Sequence, residues 1–114
     1  MFDVARSLNR ALRECDESRR MRGLGAKVAK DARLDRLLAD FRKAQFEVQA
    51  VQLQGQQVKK EQVDRLHKLA AAVEAEALLR DYMAAENAYG AMLLEVQKVL
   101  AEAFQPDVPG KVKH

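Results

Sequence analysis

Residues 32–54 read ARLDRLLADFRKAQFEVQAVQLQ, and they give the strongest indication of the fold class. Its apolar side chains recur every three or four residues, which is the period of an α-helix. The chain has no proline before Pro106. Because one proline inside a helix costs about 3 kcal/mol, such a run indicates long, uninterrupted helices. We therefore predict an all-α, oligomeric bundle with two long antiparallel helices, at about 32–54 and 77–104, plus shorter helices.

The helix at 32–54 carries a second apolar stripe beside its main one. The main stripe consists of Leu34, Leu37, Leu38, Phe41, Ala44, Val48 and Val51. The second consists of Ala39, Phe46, Ala50 and Leu53, and a line of glutamines separates the two: Gln45, Gln49, Gln52 and Gln56. A helix with one buried side needs only one stripe. The second stripe is therefore covered either by the first helix of the same subunit or by another subunit.

Both ends of this helix carry recognisable signals. Asp31 is a good N-cap, because its carboxylate can accept hydrogen bonds from free backbone N–H groups. Gly55 suits the left-handed position that ends many helices. The loop that follows is short, so we expect the next helix, at about 60–74, to return as an antiparallel neighbour.

The remaining segments are less sharply defined. A first helix is predicted from about Asp3 to Ser18, and Gly23 and Gly25 should then loosen the chain into a short second helix or a frayed continuation of the first. Around residues 75–77 the chain either bends or continues as helix. Residues 1–104 are expected to form a single domain, and residues 105–114 a flexible tail.

The last helix is too apolar for a small subunit to cover. Apolar side chains occupy more than half of its circumference, which indicates packing on several sides. Glu86 lies toward this apolar face, where it marks a site or pairs with an arginine across a subunit interface. We expect a homodimer, or a tetramer made from two dimers, with an interface that contains Phe46, Gln49, Ala50, Leu53, Met83, Glu86 and Leu94.

The net charge of +3 is unevenly distributed. Residues 1–30 hold eight basic and four acidic side chains. The densest basic segment, residues 19–33, is a candidate patch for nucleic acid or an acidic partner; its members are Arg19, Arg20, Arg22, Lys27, Lys30 and Arg33. The alternative is a solvated helix face whose charges pair with the acidic last helix of the same or another subunit.

The sequence offers no combination of residues typical of catalysis or metal binding. Cys15 lies on an apolar stripe and is expected to be a small buried side chain. His67 lies one turn from Asp64, but a zinc site needs further ligands. No glycine-rich phosphate loop occurs, and no apolar run approaches the ~20 residues of a membrane span. We expect a cytoplasmic protein with no enzymatic activity, no cofactor and no membrane insertion.

Three segments resemble a known family. The segment DARLDRLLADFRKAQ at 31–45, followed by VQAVQLQG at 48–55, is similar to the YlbF/YmcA family of small bacterial helical proteins. The segment YMAAENAY at 82–89, followed by LLEV at 93–96, is similar to the last helix of that family. The resemblance covers about residues 4–104, and the chain length and short tail look most like the YheA branch.

The resemblance implies a bundle that dimerises or tetramerises through its long helices. For the YlbF and YmcA members it also implies a complex with a third protein, YaaT, which acts as a specificity factor for the membrane-anchored ribonuclease RNase Y. That complex is linked to cysteine-bound iron–sulfur clusters, whereas this chain has Cys15 alone and cannot supply a multi-cysteine cluster by itself. The family offers no catalytic residues to transfer.

These observations lead to two functional hypotheses. The first is a non-enzymatic adaptor that recruits a protein partner, with a link to RNA decay or developmental control implied by the resemblance. The alternative is an RNA-binding protein that uses the basic segment 19–33.

Overall fold

The computed structural model describes residues 1–103, and this part of the chain is built from helices joined by short connections. The helices are α1 (Phe2–Glu14), α2 (Asp16–Lys30), α3 (Ala32–Leu53), α4 (Lys60–Glu74) and α5 (Ala77–Glu102). The prediction of an all-α fold is confirmed, as are two long helices at nearly the predicted bounds. The predicted tail, residues 105–114, lies outside the described residues, as does Phe104.

The first two helices divide at a different place from the one predicted. The break falls at Cys15, whose backbone is extended (φ −66°, ψ 157°), and α2 then runs without interruption through Gly23 and Gly25. The prediction of one helix from Asp3 to Ser18 followed by loosening at the glycines was wrong. Packing overrides the weak helix propensity of glycine here, because a Cβ at Gly25 would lie 3.1 Å from the Tyr82 ring of α5.

The ends of α3 match the signals in the sequence. The Asp31 carboxylate accepts hydrogen bonds from the backbone N–H groups of Arg33 and Leu34, at 3.1 and 3.2 Å. Gly55 has a φ of 74°, the left-handed conformation that glycine adopts without steric cost. The chain then returns as α4, which packs along α3. Between α4 and α5 the helix is interrupted at Ala75 and Glu76.

The long helices point in the same direction. Arg33 of α3 forms an ion pair with Glu76, and Arg42 forms one with Glu86. Because the residue numbers increase in the same direction along both helices, α3 and α5 are parallel. The antiparallel neighbours are α3 with α4, and α2 with α5, where Gly25 lies beside Tyr82 and Cys15 beside Met92. This differs from the antiparallel arrangement expected for α3 and α5. The chain reverses direction from α3 to α4 and again from α4 to α5, so α5 runs in the same direction as α3.

A small core joins four of the helices. It contains Val28 of α2, Val73 of α4, Leu79 of α5, and Leu34, Leu38 and Phe41 of α3. Leu79 is fully buried, and no residue of α1 is. The radius of gyration of 19.1 Å exceeds the ~13 Å expected for a compact domain of this length. The subunit is therefore open, and the outer halves of its long helices extend beyond the core.

Candidate interaction surfaces

The outer half of α3 presents the second apolar stripe to solvent. Phe46 is 69% exposed and Leu53 is 88% exposed, while Ala50 is half-buried and Gln49 is exposed. Helix α1 therefore does not cover this stripe within the subunit, which removes one of the two interpretations of the sequence. We call the outer residues of this stripe, Phe46, Ala50 and Leu53, together with the adjacent Gln49, the α3 stripe.

The predicted interface residues of α5 occupy two different environments. Leu94 is 53% exposed, as an interface residue of an isolated subunit would be. Met83 instead packs against the core, and Glu86 forms an ion pair with Arg42 of its own subunit, with 2.6 Å between Arg42 Nη2 and Glu86 Oε2. The sequence could not assign this arginine, because Arg42 lies on another helix.

A shallow apolar groove runs between α1 and the outer half of α5. Its lining consists of Leu8, Met92, Val96, Val99 and Leu100, with Glu95 at one side. Val99 and Leu100 are 63% and 47% exposed. We call this feature the α1–α5 groove; together with the α3 stripe, it gives the subunit two apolar surfaces that face solvent.

A contact between Arg42, Glu86 and Tyr82 links α2, α3 and α5 beside the core. The Arg42 guanidinium lies 5.7 Å from the centre of the Tyr82 ring, and Gly25 approaches the same ring. Burial lowers the pKa of Arg42, but the hydrogen bond to Glu86 and the interaction with Tyr82 outweigh burial and raise the pKa above its ordinary value. Arg42 therefore stays charged in this contact, where it stabilises the packing of the helices and does not act as a general acid or base.

A second ion pair joins the starts of α3 and α5. The Arg33 guanidinium donates two hydrogen bonds to the Glu76 carboxylate, at 2.9 and 3.1 Å. These hydrogen bonds and the charge of Arg33 lower the pKa of Glu76, although burial opposes them. Because the folded pKa lies below the ordinary value of 4.5, the pair stabilises the fold fully above that pH. Its contribution is lost as the pH falls through the lower, folded pKa.

We expect Glu76→Gln to lower the melting temperature at about pH 7. This deficit should shrink as the pH falls from about 4.5 toward about 3, because the stabilisation by the ion pair is lost as the folded wild-type carboxyl takes up its proton. Thermal unfolding followed by circular dichroism across this range measures the difference. Glu74→Gln is the matched control, since Glu74 is exposed and forms no ion pair within the described chain. A deficit for Glu76→Gln that stays constant down to about pH 3 would contradict the assignment.

The predicted basic patch is spread over two helices. Arg19, Arg20, Lys27 and Lys30 are exposed on α2, whereas Arg33 begins α3 and is held by Glu76. The remaining member, Arg22, turns toward α1 and donates a hydrogen bond to the backbone carbonyl of Arg13. Two of its six members are therefore engaged within the subunit, and use of the patch by nucleic acid or an acidic partner stays a prediction.

A basic cleft between α1 and α2 was missed in the sequence. It has a volume of about 380 Å³, and its lining consists of Arg6, Asn9, Arg10, Arg13, Glu14 and Arg22. The spacing of Arg6, Arg10 and Arg13 was a usable signal, because positions four and seven residues apart share one face of a helix. We call this feature the arginine cleft.

Cys15 does not fit an iron–sulfur cluster within this subunit. Such clusters are held by several cysteine thiolates, and this chain has one cysteine. The Cys15 thiol donates to the Leu12 carbonyl at 3.2 Å and contacts the Met92 sulfur at 3.6 Å. Cys15 is half-buried at the α1–α2 break, so its side chain is less buried than predicted. Within residues 1–103, no three His, Cys, Asp or Glu side chains are grouped to hold a metal ion, and no helix has the length and apolarity of a membrane span.

Two solved structures share this arrangement of helices. A DUF964 protein from Bacillus stearothermophilus superposes with a TM-score of 0.79, at 21% identity over 90% of each chain. Bacillus subtilis RicA, solved in complex with RicF, superposes with a TM-score of 0.63, at 18% identity and the same coverage. At these identities the likeness extends to the fold alone.

Sequence comparison identifies the family. A UPF0342 protein of Symbiobacterium thermophilum is 36% identical over 96% of this chain and 97% of its own length. A UPF0342 protein of Bacillus velezensis is 31% identical over 91% of this chain and 90% of its own length. The family model described as "Control of competence regulator ComK, YlbF/YmcA" matches residues 1–105. Since that match covers nearly the whole chain, the protein belongs to the YlbF/YmcA family.

Proposed function

We propose that this protein is a non-enzymatic, cytoplasmic adaptor: a homodimer that uses its remaining apolar surface to bind another protein. The observation that carries the proposal is the exposure of two separate apolar surfaces on one subunit. Phe46 and Leu53 are 69% and 88% exposed in the α3 stripe, and Val99 and Leu100 are 63% and 47% exposed in the α1–α5 groove. The unit that performs this role is the helical domain of residues 1–104, and residues 105–114 are a tail appended to it.

Energetics favour coverage of the α3 stripe. Burial of one large apolar side chain is worth roughly 1.5–3 kcal/mol, and a typical domain is stable by only ~5–15 kcal/mol. A subunit that leaves Phe46, Leu53, Leu94 and Leu100 in water forgoes a comparable amount. A two-fold dimer recovers part of this free energy, because one self-complementary surface is buried twice.

The family supports a role in regulation through protein contacts. Its description names control of a competence regulator, and RicA, which shares the fold, was solved in complex with RicF. We assign the α3 stripe to the homodimer and the α1–α5 groove to the second protein. A partner from the RNA-decay machinery is the specific form of this proposal.

A capture experiment from native lysate tests the adaptor role. Tagged wild-type protein should retain a partner that mass spectrometry identifies, and Leu100→Glu should lose it, because a carboxylate then enters the α1–α5 groove. Gln57→Glu, at an exposed loop position, makes the same charge change and should retain the partner. Recovery of only the protein itself, under conditions that preserve known complexes, would refute the adaptor role.

A further inference from the structure

The arginine cleft concentrates positive charge that the subunit does not neutralise. Four of its six lining residues are arginines, and Glu14 is the one carboxylate among them. Within residues 1–103, none of the four guanidinium groups lies within ion-pair distance of a carboxylate. Arg6 and Arg10 are also four residues apart on one helix, a spacing at which like charges destabilise the helix. This arrangement opposes the stability of α1 and favours an anion that bridges the arginines.

The cleft is positioned by both helices that form it. Arg6, Arg10 and Arg13 extend about 10 Å along α1. Arg22 approaches from α2, and its guanidinium is held by a hydrogen bond to the Arg13 carbonyl in the last turn of α1. That carbonyl has no partner inside its own helix, so the contact satisfies it and fixes the charge of Arg22 beside the α1 arginines.

An exposed aromatic ring lies on the same face of α1. Phe2 is 78% exposed and precedes Arg6 by four residues, so one helical stripe runs through Phe2, Arg6, Asn9 and Arg13. A row of guanidinium groups suits phosphates bound in sequence, because each guanidinium can donate two parallel hydrogen bonds to one phosphate. An aromatic ring beside such a row offers a surface on which a base can stack.

We propose that the arginine cleft binds single-stranded nucleic acid, with Arg6, Arg10, Arg13 and Arg22 on consecutive phosphates and Phe2 stacked on a base. Arginine alone would suit an acidic protein segment equally well. The exposed ring in line with the arginines favours a nucleic acid strand, because its repeating unit combines one phosphate with one base. This inference is independent of the proposed adaptor role and uses neither the α3 stripe nor the α1–α5 groove.

Fluorescence anisotropy with labelled oligouridylate and oligodeoxythymidylate, each about 12 nucleotides long, tests the cleft. Between about 50 and 200 mM salt, three to four phosphate contacts predict a slope of log K against log salt of about −2 to −3. Arg6→Gln/Arg10→Gln/Arg13→Gln should weaken binding at least tenfold at about 50 mM salt and reduce the slope to about −1. Phe2→Ala should weaken binding about tenfold with the slope unchanged, because stacking releases no counterions.

A matched control separates the cleft from general positive charge. Lys59→Gln/Lys60→Gln/Arg65→Gln removes the same charge from exposed positions at α4 and should change the affinity less than about twofold. Circular dichroism checks that each variant keeps its helical content. Equal affinity for RNA and DNA, or a preference for RNA through the 2′-hydroxyl, would each support the proposal.

Three results would overturn the proposal. The first is no binding of either oligonucleotide by the wild-type protein at low salt. The second is an equal loss of affinity in the α1 and α4 triple variants. The third is binding of polyglutamate or of phosphatidylglycerol vesicles without binding of the oligonucleotides, which would assign the cleft to an acidic protein or a lipid surface. The adaptor proposal would stand in each case, because its test depends on Leu100 and not on the cleft.

Discussion

Leu79→Ala should lower the free energy of unfolding by about 2–5 kcal/mol, a large fraction of the ~5–15 kcal/mol that stabilises a typical domain. Leu79 is completely buried where α5 meets the core residues Val28, Leu38 and Val73. Removal of its branched end loses apolar burial and leaves a cavity that four helices border. Urea unfolding followed by far-UV circular dichroism, at one protein concentration for all variants, measures the change.

Two further variants make this prediction specific. Leu79→Met keeps most of the volume and should cost less than about 1.5 kcal/mol. Val4→Ala shortens an aliphatic side chain that is 72% exposed on α1 and should change the free energy of unfolding by less than about 0.5 kcal/mol. Equal midpoints for Leu79→Ala and Val4→Ala would mean that α5 is not anchored in the core by Leu79.

Phe46→Glu should convert the proposed dimer into monomers at micromolar concentration. The substitution places an unpaired carboxylate against the partner subunit, which costs about 3–5 kcal/mol and corresponds to a rise in Kd of about a hundredfold to several thousandfold. Because the dimer is two-fold symmetric, each subunit contributes one such carboxylate, and both carboxylates weaken the interface. Sedimentation velocity over a concentration series measures the assembly.

The control for Phe46→Glu introduces the same negative charge at a position away from the proposed interface. Gln57→Glu also adds one negative charge, at an exposed position in the loop between α3 and α4, and should leave the sedimentation coefficient unchanged. The subunit of the Phe46→Glu variant should keep its helical content, because Phe46 is 69% exposed and lies outside the core. A wild-type monomer at micromolar concentration, or a fully assembled Phe46→Glu variant, would refute the dimer.

Residues that act within one helix were predictable from the sequence. The Asp31 cap, the Gly55 terminus and the apolar period of 32–54 each depend on neighbours a few positions away along the chain. The unusual second stripe was predictable for the same reason, since helical period alone places Phe46 and Leu53 off the main apolar face. The glycines of α2 misled the prediction, since α2 continues through both of them. At Gly25 the weak helix propensity of glycine is offset by close packing against Tyr82, which lies far along the chain.

The candidate surfaces were only partly predictable, because each is assembled from separate helices. Glu86 was expected to mark a site or to pair with an arginine across a subunit interface, whereas it pairs with Arg42 of its own subunit, because of how α3 and α5 align. Arg22 was grouped with its neighbours in the sequence, whereas the packing of α2 against α1 places it with Arg6, Arg10 and Arg13.

Local sequence patterns were enough to predict α3, α4 and α5, most of the helix ends, and the excess of apolar surface over what one subunit can bury. Those properties follow from local hydrogen bonding and the 3.6-residue period, which adjacent residues control. Packing between helices was needed to show that α3 and α5 point the same way, that the second stripe faces solvent, and that four arginines share one cleft. These features depend on contacts between residues far apart in the chain, and helical period does not specify which faces meet.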